Sequence, residues 1–235
     1  QYNEFLIDEE IDQGKKKSEF PVEGLSEAEF EKQFIGIENQ TANSGIIMSD
    51  ASKFVEFKNV DIVEISNYEG NELKGYVPDA KGSKSGVTIG SGLDLGDRNI
   101  NDLKGLPQEI IDKLEPFLGL KGNNAVAVAK KLNITKEEAK IINTFAHKQS
   151  LTKLKKKWNK DSKIKFNKLN KEQATVLASV AFQYGDLKTK TPTFYRLALA
   201  GDWQSVYDEL MDFKDNYPTR REKEAAYLKK YLDNN

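Results

Sequence analysis

The chain has 235 residues, of which 38% are hydrophobic and 31% are charged, and its net charge is −1. This length suits one domain of about 150 to 180 residues with a small appendage rather than two large domains. No apolar stretch reaches the roughly 18 residues needed to cross a bilayer, so the sequence excludes a membrane-inserted protein. The absence of cysteine excludes disulfides, thiolate nucleophiles and thiolate-bound zinc, and a single histidine excludes a histidine-rich metal site.

The charges are unevenly distributed along the chain. Residues 1–57 hold about 13 Asp and Glu against about 5 Lys, a net charge near −8, which leaves residues 58–235 near +7. A basic domain would be attracted to an anionic polymer such as a bacterial wall or nucleic acid, although lysines that only keep a protein in solution produce the same excess. We therefore predict an acidic leader, residues 1–57, followed by one domain, residues 58–235.

The leader contains one predicted short helix. Ser26 and Glu29 form a capping-box pair that would begin it. Its apolar face would consist of Phe30, Phe34 and Ile35. Residues 41–52 are small and polar, which is typical of a linker.

The rest of the chain changes from a helix to strands and then to further helices. The pattern predicts a helix over residues 59–68 that ends at Glu69-Gly70, and a small sheet or hairpin over residues 73–95. The later predicted helices cover residues 108–118, 125–132, 135–147, 174–184, 193–200 and 202–213, with a last one from Pro218. We therefore predict an α+β fold in which one helix and a small sheet precede a helical lobe.

Glu69 is the first candidate catalytic residue. Ile62, Ile65 and Glu69 fall on one face of the predicted helix, so the Glu69 carboxyl should be partly buried. Burial and the negative end of the helix dipole both raise the pKa of a carboxyl, which is the state that a general acid needs near neutral pH. The alternative is an ordinary exposed glutamate at a helix end.

The second candidate segment is rich in glycine. It reads Gly-Val-Thr-Ile-Gly-Ser-Gly-Leu-Asp-Leu-Gly over residues 86–96. Alternating glycines would let the backbone approach a polymer closely and would place Thr88 and Asp94 on a compact turn. A nucleotide site is excluded because the glycine spacing differs, the strand-helix-strand context is missing and Asp94 would repel phosphate.

These residues resemble the phage-type lysozyme family, and within it the muramidase domains of the pesticin type. The resemblance rests on the Glu-Gly pair at residues 69–70, the glycine-rich segment, and Val-Ala-Phe-Gln-Tyr-Gly at residues 180–185. Trp203 and the Arg220-Arg221 pair follow in the family's order, so the resemblance covers roughly residues 58–230. It implies a lysozyme-like fold with an active-site cleft between the sheet and the helical lobe.

The resemblance also implies a role for each matching residue. Glu69 would protonate the glycosidic oxygen, Asp94 would stabilise the developing positive charge or activate water, and Thr88 would orient that water. Arg220 would pair with Glu69, and Gln183 would line the cleft.

One departure from the family pattern leaves the second carboxylate open. Phage lysozymes carry it before the threonine and close to a tyrosine, which matches Asp79 and Tyr76 here, whereas the pesticin type carries it six residues after the threonine, which matches Asp94. The surrounding glycine-rich segment favours Asp94. Carboxyl groups about 6.5 to 9.5 Å apart would make the enzyme inverting, and a separation near 5 Å would make it retaining.

Two further features have ordinary explanations. His147 is expected to be a helix-surface or packing residue, because without a Gly-x-Ser-x-Gly motif a Ser-His-Asp hydrolase has little support. The lysine-rich residues 153–168 could bind a polyanion, but the solvated side of an amphipathic helix and loop is the more common meaning of such a run.

The predicted function is that of a muramidase, a glycoside hydrolase that cleaves the β-1,4 bond between N-acetylmuramic acid and N-acetylglucosamine in peptidoglycan, without metal or organic cofactor. The alternative is an inactive lysozyme-like module that binds peptidoglycan or a partner protein. The resemblance favours an antibacterial toxin such as a bacteriocin, secreted or delivered into the periplasm or cell wall of a target bacterium. Its expected partners are peptidoglycan glycan strands and a cognate immunity protein, and we expect a monomer that binds no nucleic acid.

Overall fold

The computed structural model of the protein describes residues 47–78 and 85–234. The helices are α1 Ile62–Ser66, α2 Gln108–Leu114, α3 Gly122–Ala129, α4 Lys136–Asp161, α5 Lys171–Tyr184, α6 Leu187–Lys190, α7 Pro192–Ala200, α8 Trp203–Met211 and α9 Pro218–Leu232. The strands are β1 Glu72–Tyr76, β2 Thr88–Gly90 and β3 Leu93–Asp94. A helix, a small sheet and a helical lobe follow in the predicted order, which confirms the α+β fold. The predicted helix at Ser26 and the candidate Asp79 lie outside the described residues.

Helix α1 is shorter than the pattern predicted. Asp61 caps it, because the Asp61 carboxylate accepts a hydrogen bond from the backbone N–H of Glu64 at 3.1 Å. Beyond the last helical residue the backbone tightens, since the amides of Tyr68 and Glu69 bond to carbonyls three residues earlier at 3.0 and 3.3 Å. Glu69 therefore lies on a turn just past the helix instead of on the helix itself.

The sheet is antiparallel, and its strands are ordered β1-β2-β3. Thr88 on the central strand pairs with Tyr76 on one side and with Asp94 on the other. Because directly paired residues point to the same face of a sheet, these three side chains share one face. The predicted hairpin over residues 73–95 is confirmed, and it places Thr88 beside Asp94.

Contacts within the protein require glycine at several positions of this segment. A Cβ on Gly86 would stand 2.2 Å from the Cα of Gly96, and a Cβ on Gly90 would stand 2.5 Å from Oδ1 of Asn143. Gly90 also has a φ of +64°, a backbone conformation that favours glycine. At Gly86 and Gly90 the expectation that the glycines admit a polymer is therefore wrong, because the protein itself fills the space where a Cβ would stand, whereas the space beside Gly92 is open.

Helix α4 connects the two parts of the fold. It begins with the predicted capping box, in which Glu138 N donates to Thr135 Oγ1 at 3.1 Å and Thr135 N donates to Glu138 Oε2 at 2.7 Å. The helix has 26 residues and continues well beyond its predicted end at residue 147. Its second half and the loop after it carry the lysine-rich segment, whose apolar residues Leu154, Trp158 and Phe166 are buried. In the part of the chain that the structure describes, no helix has the length and apolar character of a membrane span.

The buried apolar side chains form two clusters. The first joins α1 and the second half of α4 to helices α5 and α7 to α9. The second joins β2, β3, α2 and α3 to the first half of α4. Glu69 follows an element of the first cluster and Asp94 ends a strand of the second, so the candidate residues come from two lobes that α4 connects.

Residues 47–57, which the sequence analysis assigned to the leader, belong to the packed structure. Asp50 caps a 3-10 helix, Ala51–Phe57, by accepting a hydrogen bond from Ser52 N at 3.1 Å. Phe54 and Phe57 are 4% and 1% exposed and join the cluster of the helical lobe. Burial of aromatic side chains is a large stabilising contribution, so these two phenylalanines fasten the segment to that lobe.

The contribution of this segment can be measured by substitution. Phe57→Ala should lower the free energy of unfolding by about 3 to 5 kcal/mol, because it leaves a cavity in the core. Glu56→Ala changes an exposed neighbour in the same 3-10 helix and should alter the free energy of unfolding by less than about 0.5 kcal/mol. Urea denaturation measures both, and equal effects would show that residue 57 is not part of the core.

His147 is a packing residue, one of the two alternatives expected for it. It is 2% exposed, its ring centroid lies 4.0 Å from that of Phe182, and its Nδ1 lies 2.7 Å from Oγ of Ser49. Burial, assisted by the positive charge of Arg220, lowers the pKa of His147 to about 3. The folded protein therefore holds this imidazole neutral.

This depressed pKa predicts an acid-sensitive contribution to stability. The contribution is present above the ordinary histidine pKa of about 6.5 and is lost as the pH falls toward 3. Between pH 7.5 and pH 4.5 the loss should reach about 2 to 3 kcal/mol. His147→Gln cannot titrate and should lose correspondingly less unfolding free energy over that interval. Urea denaturation at the two pH values tests this, and the same loss in both proteins would refute it.

Candidate active site

Glu69 is a buried carboxyl beside a cation. Its side chain is 11% exposed, and its Oε1 lies 2.7 Å from Nη2 of Arg220. Burial raises the pKa of Glu69, and the Arg220 cation opposes this rise without cancelling it. The structure therefore brings together the two residues that the sequence analysis paired, and it leaves Glu69 with a stronger hold on its proton than an exposed glutamate has.

Arg220 is held in place by the helical lobe. Its Nη2 donates to the carbonyl oxygen and to Oγ of Ser179 at 3.1 and 3.0 Å, and its Nε donates to Oε1 of Glu224 at 3.1 Å. Burial by itself would lower the pKa of Arg220, but the carboxylates of Glu69 and Glu224 outweigh burial and raise it. The guanidinium thus stays charged and is fixed by contacts with α5 and α9.

Glu224 lies between two arginines at the centre of this arrangement. Its side chain is 0% exposed, its Oε1 accepts from Oγ of Ser179 at 2.5 Å, and its Oε2 accepts from Nη1 of Arg221 at 2.5 Å. Burial raises the pKa of Glu224, and both arginines oppose the rise. Glu224 was not among the residues predicted from the sequence, although its spacing of four from Arg220 on the last helix is typical of an ion pair.

Gln183 joins the same network at the end of α5. Its Oε1 accepts a hydrogen bond from Nη2 of Arg221, a residue that is 2% exposed. The Nε of Arg221 lies 3.2 Å from the carboxylate of Asp215. The structure thus shows that Gln183 supports a buried arginine, a role additional to its predicted place along the cleft.

Asp94 and Thr88 lie opposite each other on the sheet. Oδ1 of Asp94 accepts hydrogen bonds from the amides of Gly86 and Gly96 at 3.1 and 2.7 Å, and its backbone carbonyl accepts from Nε of Arg98 at 2.9 Å. Thr88 is 2% exposed, and its hydroxyl donates to the carbonyl of Gly86 at 3.3 Å. The two amide donors set the orientation of the Asp94 carboxylate on the face that it shares with Thr88.

Tyr76 is the third residue on the sheet face that carries Thr88 and Asp94. It pairs with Thr88 in the sheet, and it is 36% exposed. Burial raises the pKa of Tyr76, and the negative charges of Glu72, Glu69 and Asp94 raise it further. Glu69 and Asp94 therefore both contribute to the electrostatic effect on the Tyr76 hydroxyl group.

Asn143 on α4 fastens the loops that carry these residues. It is 1% exposed, its Oδ1 accepts from the amide of Ser91 at 2.9 Å, and its Nδ2 donates to Oδ1 of Asn71 at 2.9 Å. Asn71 follows the Glu69-Gly70 turn, and Ser91 lies in the turn between β2 and β3. One side chain thus links the Glu69 loop to the Asp94 hairpin, which the sequence analysis did not anticipate.

The candidate catalytic groups among the described residues are carboxyls. Within residues 47–78 and 85–234, no three His, Asp or Glu side chains are grouped as metal ligands would be. A carboxyl with a raised pKa and a second carboxylate fixed by hydrogen bonds are the two kinds of group used in glycoside hydrolysis. Glu69 has the environment of the proton donor, and Asp94 has the fixed orientation needed to face a developing charge or a water molecule.

Comparison with known proteins gives a family match over most of this region. Residues 59–204 match a family model described as "Pesticin: Bacterial toxin homologue of phage lysozyme, C-term". The match includes Glu69, Thr88, Asp94 and Gln183 and ends before Arg220. No curated protein matches the chain.

The influence of Arg220 on Glu69 can be measured directly. Arg220→Gln removes the cation that lowers the pKa of Glu69, so the pKa of this carboxyl should rise further above its ordinary value. Arg196→Gln, which changes an exposed arginine on α7, should leave the pKa of Glu69 unchanged. NMR titration of the Glu69 side-chain carboxyl carbon measures the pKa in each variant. A pKa that is unchanged in Arg220→Gln would contradict the electrostatic role of the ion pair.

Proposed function

The chain belongs to the family of the pesticin C-terminal domain, bacterial toxin homologues of phage lysozyme, and on that premise we propose that it is a muramidase. Its reaction is hydrolysis of the β-1,4 bond between N-acetylmuramic acid and N-acetylglucosamine in bacterial peptidoglycan. The observation that carries the proposal is the environment of Glu69, a buried carboxyl whose pKa is raised although an arginine lies 2.7 Å away.

In the proposed reaction Glu69 is the general acid. Its proton passes to the glycosidic oxygen as the bond between that oxygen and the anomeric carbon breaks. The anomeric carbon then carries positive charge. The Asp94 carboxylate either stabilises this charge directly or takes a proton from the water molecule whose oxygen forms the new bond to the anomeric carbon. Thr88 lies directly across the sheet from Asp94 and is proposed to orient that water.

The supporting residues act through Glu69. Arg220 keeps the carboxyl in position and limits the rise of its pKa, so that Glu69 releases its proton to the leaving group and can later be reprotonated from water. Gln183 holds Arg221, and Arg221 shares Glu224 with Arg220. Gln183 is therefore proposed as a residue that supports the acid, in addition to its predicted place along the cleft.

The family points to an antibacterial role. We propose that the domain works as a toxin that is secreted or delivered to the periplasm or cell wall of a target bacterium, where glycan strands are accessible. A producer of such an enzyme needs protection of its own wall, so a cognate immunity protein is a proposed partner. We propose that the enzyme acts as a monomer, since both halves of the candidate site come from one chain.

The Glu69→Gln variant tests the general acid. The amide keeps the size of the side chain but has no acidic proton to transfer, so release of reducing sugar from purified peptidoglycan should fall by about 10²- to 10⁴-fold. Glu109→Gln changes an exposed glutamate on α2 and should retain the activity of the parent. Full activity of Glu69→Gln would remove this residue from the mechanism. A parent chain that sediments with peptidoglycan but never hydrolyses it would instead identify an inactive binding module.

A second pair of variants tests the choice of aspartate. Asp94→Asn keeps an oxygen that accepts from the Gly86 and Gly96 amides but removes the charge, so hydrolysis should fall by about 10²-fold or more. Asp79→Asn should remain close to the parent. The same reducing-sugar assay distinguishes them, and the reverse ranking would assign the second carboxylate to Asp79.

A further inference from the structure

A groove on the outer side of α4 is separate from the carboxyl pair. The groove has a volume of about 650 Å³. It lies between α4, the segment that contains Lys104 and Leu106, and the 3-10 helix Ala51–Phe57 together with its cap. Its apolar lining is formed by Leu106, Ile141 and Phe145, and Ile141 is 40% exposed. An exposed isoleucine in the wall of a cavity is a surface on which an apolar side chain can pack.

Positive charge surrounds this apolar floor. Its cationic lining includes Lys53, Arg98, Lys104, Lys148 and Lys153. The acidic residues in the lining are Asp50 and Asp102, and both are engaged locally, since Asp50 caps the 3-10 helix and Asp102 accepts from the amide of Asn99 at 2.8 Å. The groove is therefore complementary to a ligand that combines apolar groups with several negative charges.

One segment of this chain has that chemistry. Residues 1–46 contain 11 Asp and Glu against 4 Lys, the reverse of the charge of the groove. Within them, residues 26–38 read Ser-Glu-Ala-Glu-Phe-Glu-Lys-Gln-Phe-Ile-Gly-Ile-Glu. The spacing of Phe30, Phe34 and Ile35 predicts one apolar helical face, with glutamates at positions 27, 29, 31 and 38 around it.

The part of the chain that follows this segment, from Ile47 onward, is attached beside the groove. The carbonyl of Ile47 accepts a hydrogen bond from Nδ2 of Asn143 at 3.1 Å, and the amide of Asp50 donates to Oγ1 of Thr144 at 2.8 Å. Asp50 and Thr144 both line the groove. Residues 39–46 can span at most about 3.3 to 3.6 Å each, so residues 26–38 are confined near the groove at a high effective concentration.

We propose that residues 26–38, whose sequence pattern predicts an amphipathic helix, occupy this groove within the same chain. Phe30, Phe34 and Ile35 pack against the apolar floor, and the surrounding glutamates face the lysines of the rim. The acidic segment thereby screens the basic face of α4, and the groove is an intramolecular docking surface distinct from the site of Glu69 and Asp94. This inference does not depend on the proposed muramidase activity.

The absence of cysteine makes the full chain suitable for a distance measurement. In Gln33→Cys/Gln108→Cys, one spin label reports on the segment and the other on the edge of the groove, where Gln108 lies two residues from Leu106. Pulsed EPR should give a short and narrow distance distribution for this pair. The pair Gln33→Cys/Met211→Cys, with its second label on exposed Met211 of the helical lobe, should give a distinctly different distribution. A broad distribution for the first pair would overturn the proposal.

Charge reversal tests the complementarity in the same labelled chain. Lys104→Glu/Lys148→Glu should broaden the distribution, because two groove lysines become acidic. Lys163→Glu/Lys168→Glu makes the same change of charge on lysines outside the groove lining and should leave the distribution narrow. A distribution that is insensitive to reversal at 104 and 148 would refute docking in this groove. Loss of the short distance on dilution with unlabelled chain would identify a second copy as the occupant and would also refute it.

Discussion

The ion pair between Glu69 and Arg220 is the interaction on which the candidate site depends. A carboxyl with an 11% exposed side chain needs a partner, and Arg220 supplies one while Ser179 and Glu224 hold the guanidinium. Glu224 is itself fully buried and is satisfied by a second arginine, so the position of the acid is set by the packing of α5 against α9. Burial raises the pKa of Glu69 and Arg220 restrains it, and the balance of these two effects gives the carboxyl the properties of a proton donor.

The second carboxylate is positioned by independent means. Asp94 depends on two amide donors, and those amides belong to Gly86 and Gly96, which approach each other too closely for any other residue. Asn143 on α4 then fastens this hairpin to the loop that follows Glu69. Glu69 is thus fixed by one lobe and Asp94 by the other, and α4 contributes to the cores of both.

Local rules predicted most of the elements but few of their ends. The capping boxes at Thr135 and Asn170 mark the starts of α4 and α5 because they act within a single turn. The predicted end of α4 came about half a helix too early, because the lysine-rich half is stabilised by burial of Leu154 and Trp158 against the helical lobe, a tertiary contact that local rules do not include. Residues 47–57 were assigned to the leader for a similar reason, since their composition does not reveal that Phe54 and Phe57 enter the core.

The sequence by itself determined the identity of the candidate chemistry, because Glu69, Thr88, Asp94, Gln183 and Arg220 stand in an ordered motif that local reading and family resemblance can both recognise. It also predicted that Glu69 lies at the end of the first helix and that a glycine-rich segment carries Asp94, although the turn at Glu69 and the contacts that require Gly86 and Gly90 are visible only in the structure. Only the tertiary structure showed that Glu224, Arg221 and Asn143 hold these groups, because their partners lie 38 to 72 residues away along the chain. The raised pKa of Glu69 is also visible only in the tertiary structure, because the carboxyl is buried and lies beside Arg220 of the last helix only in the folded protein.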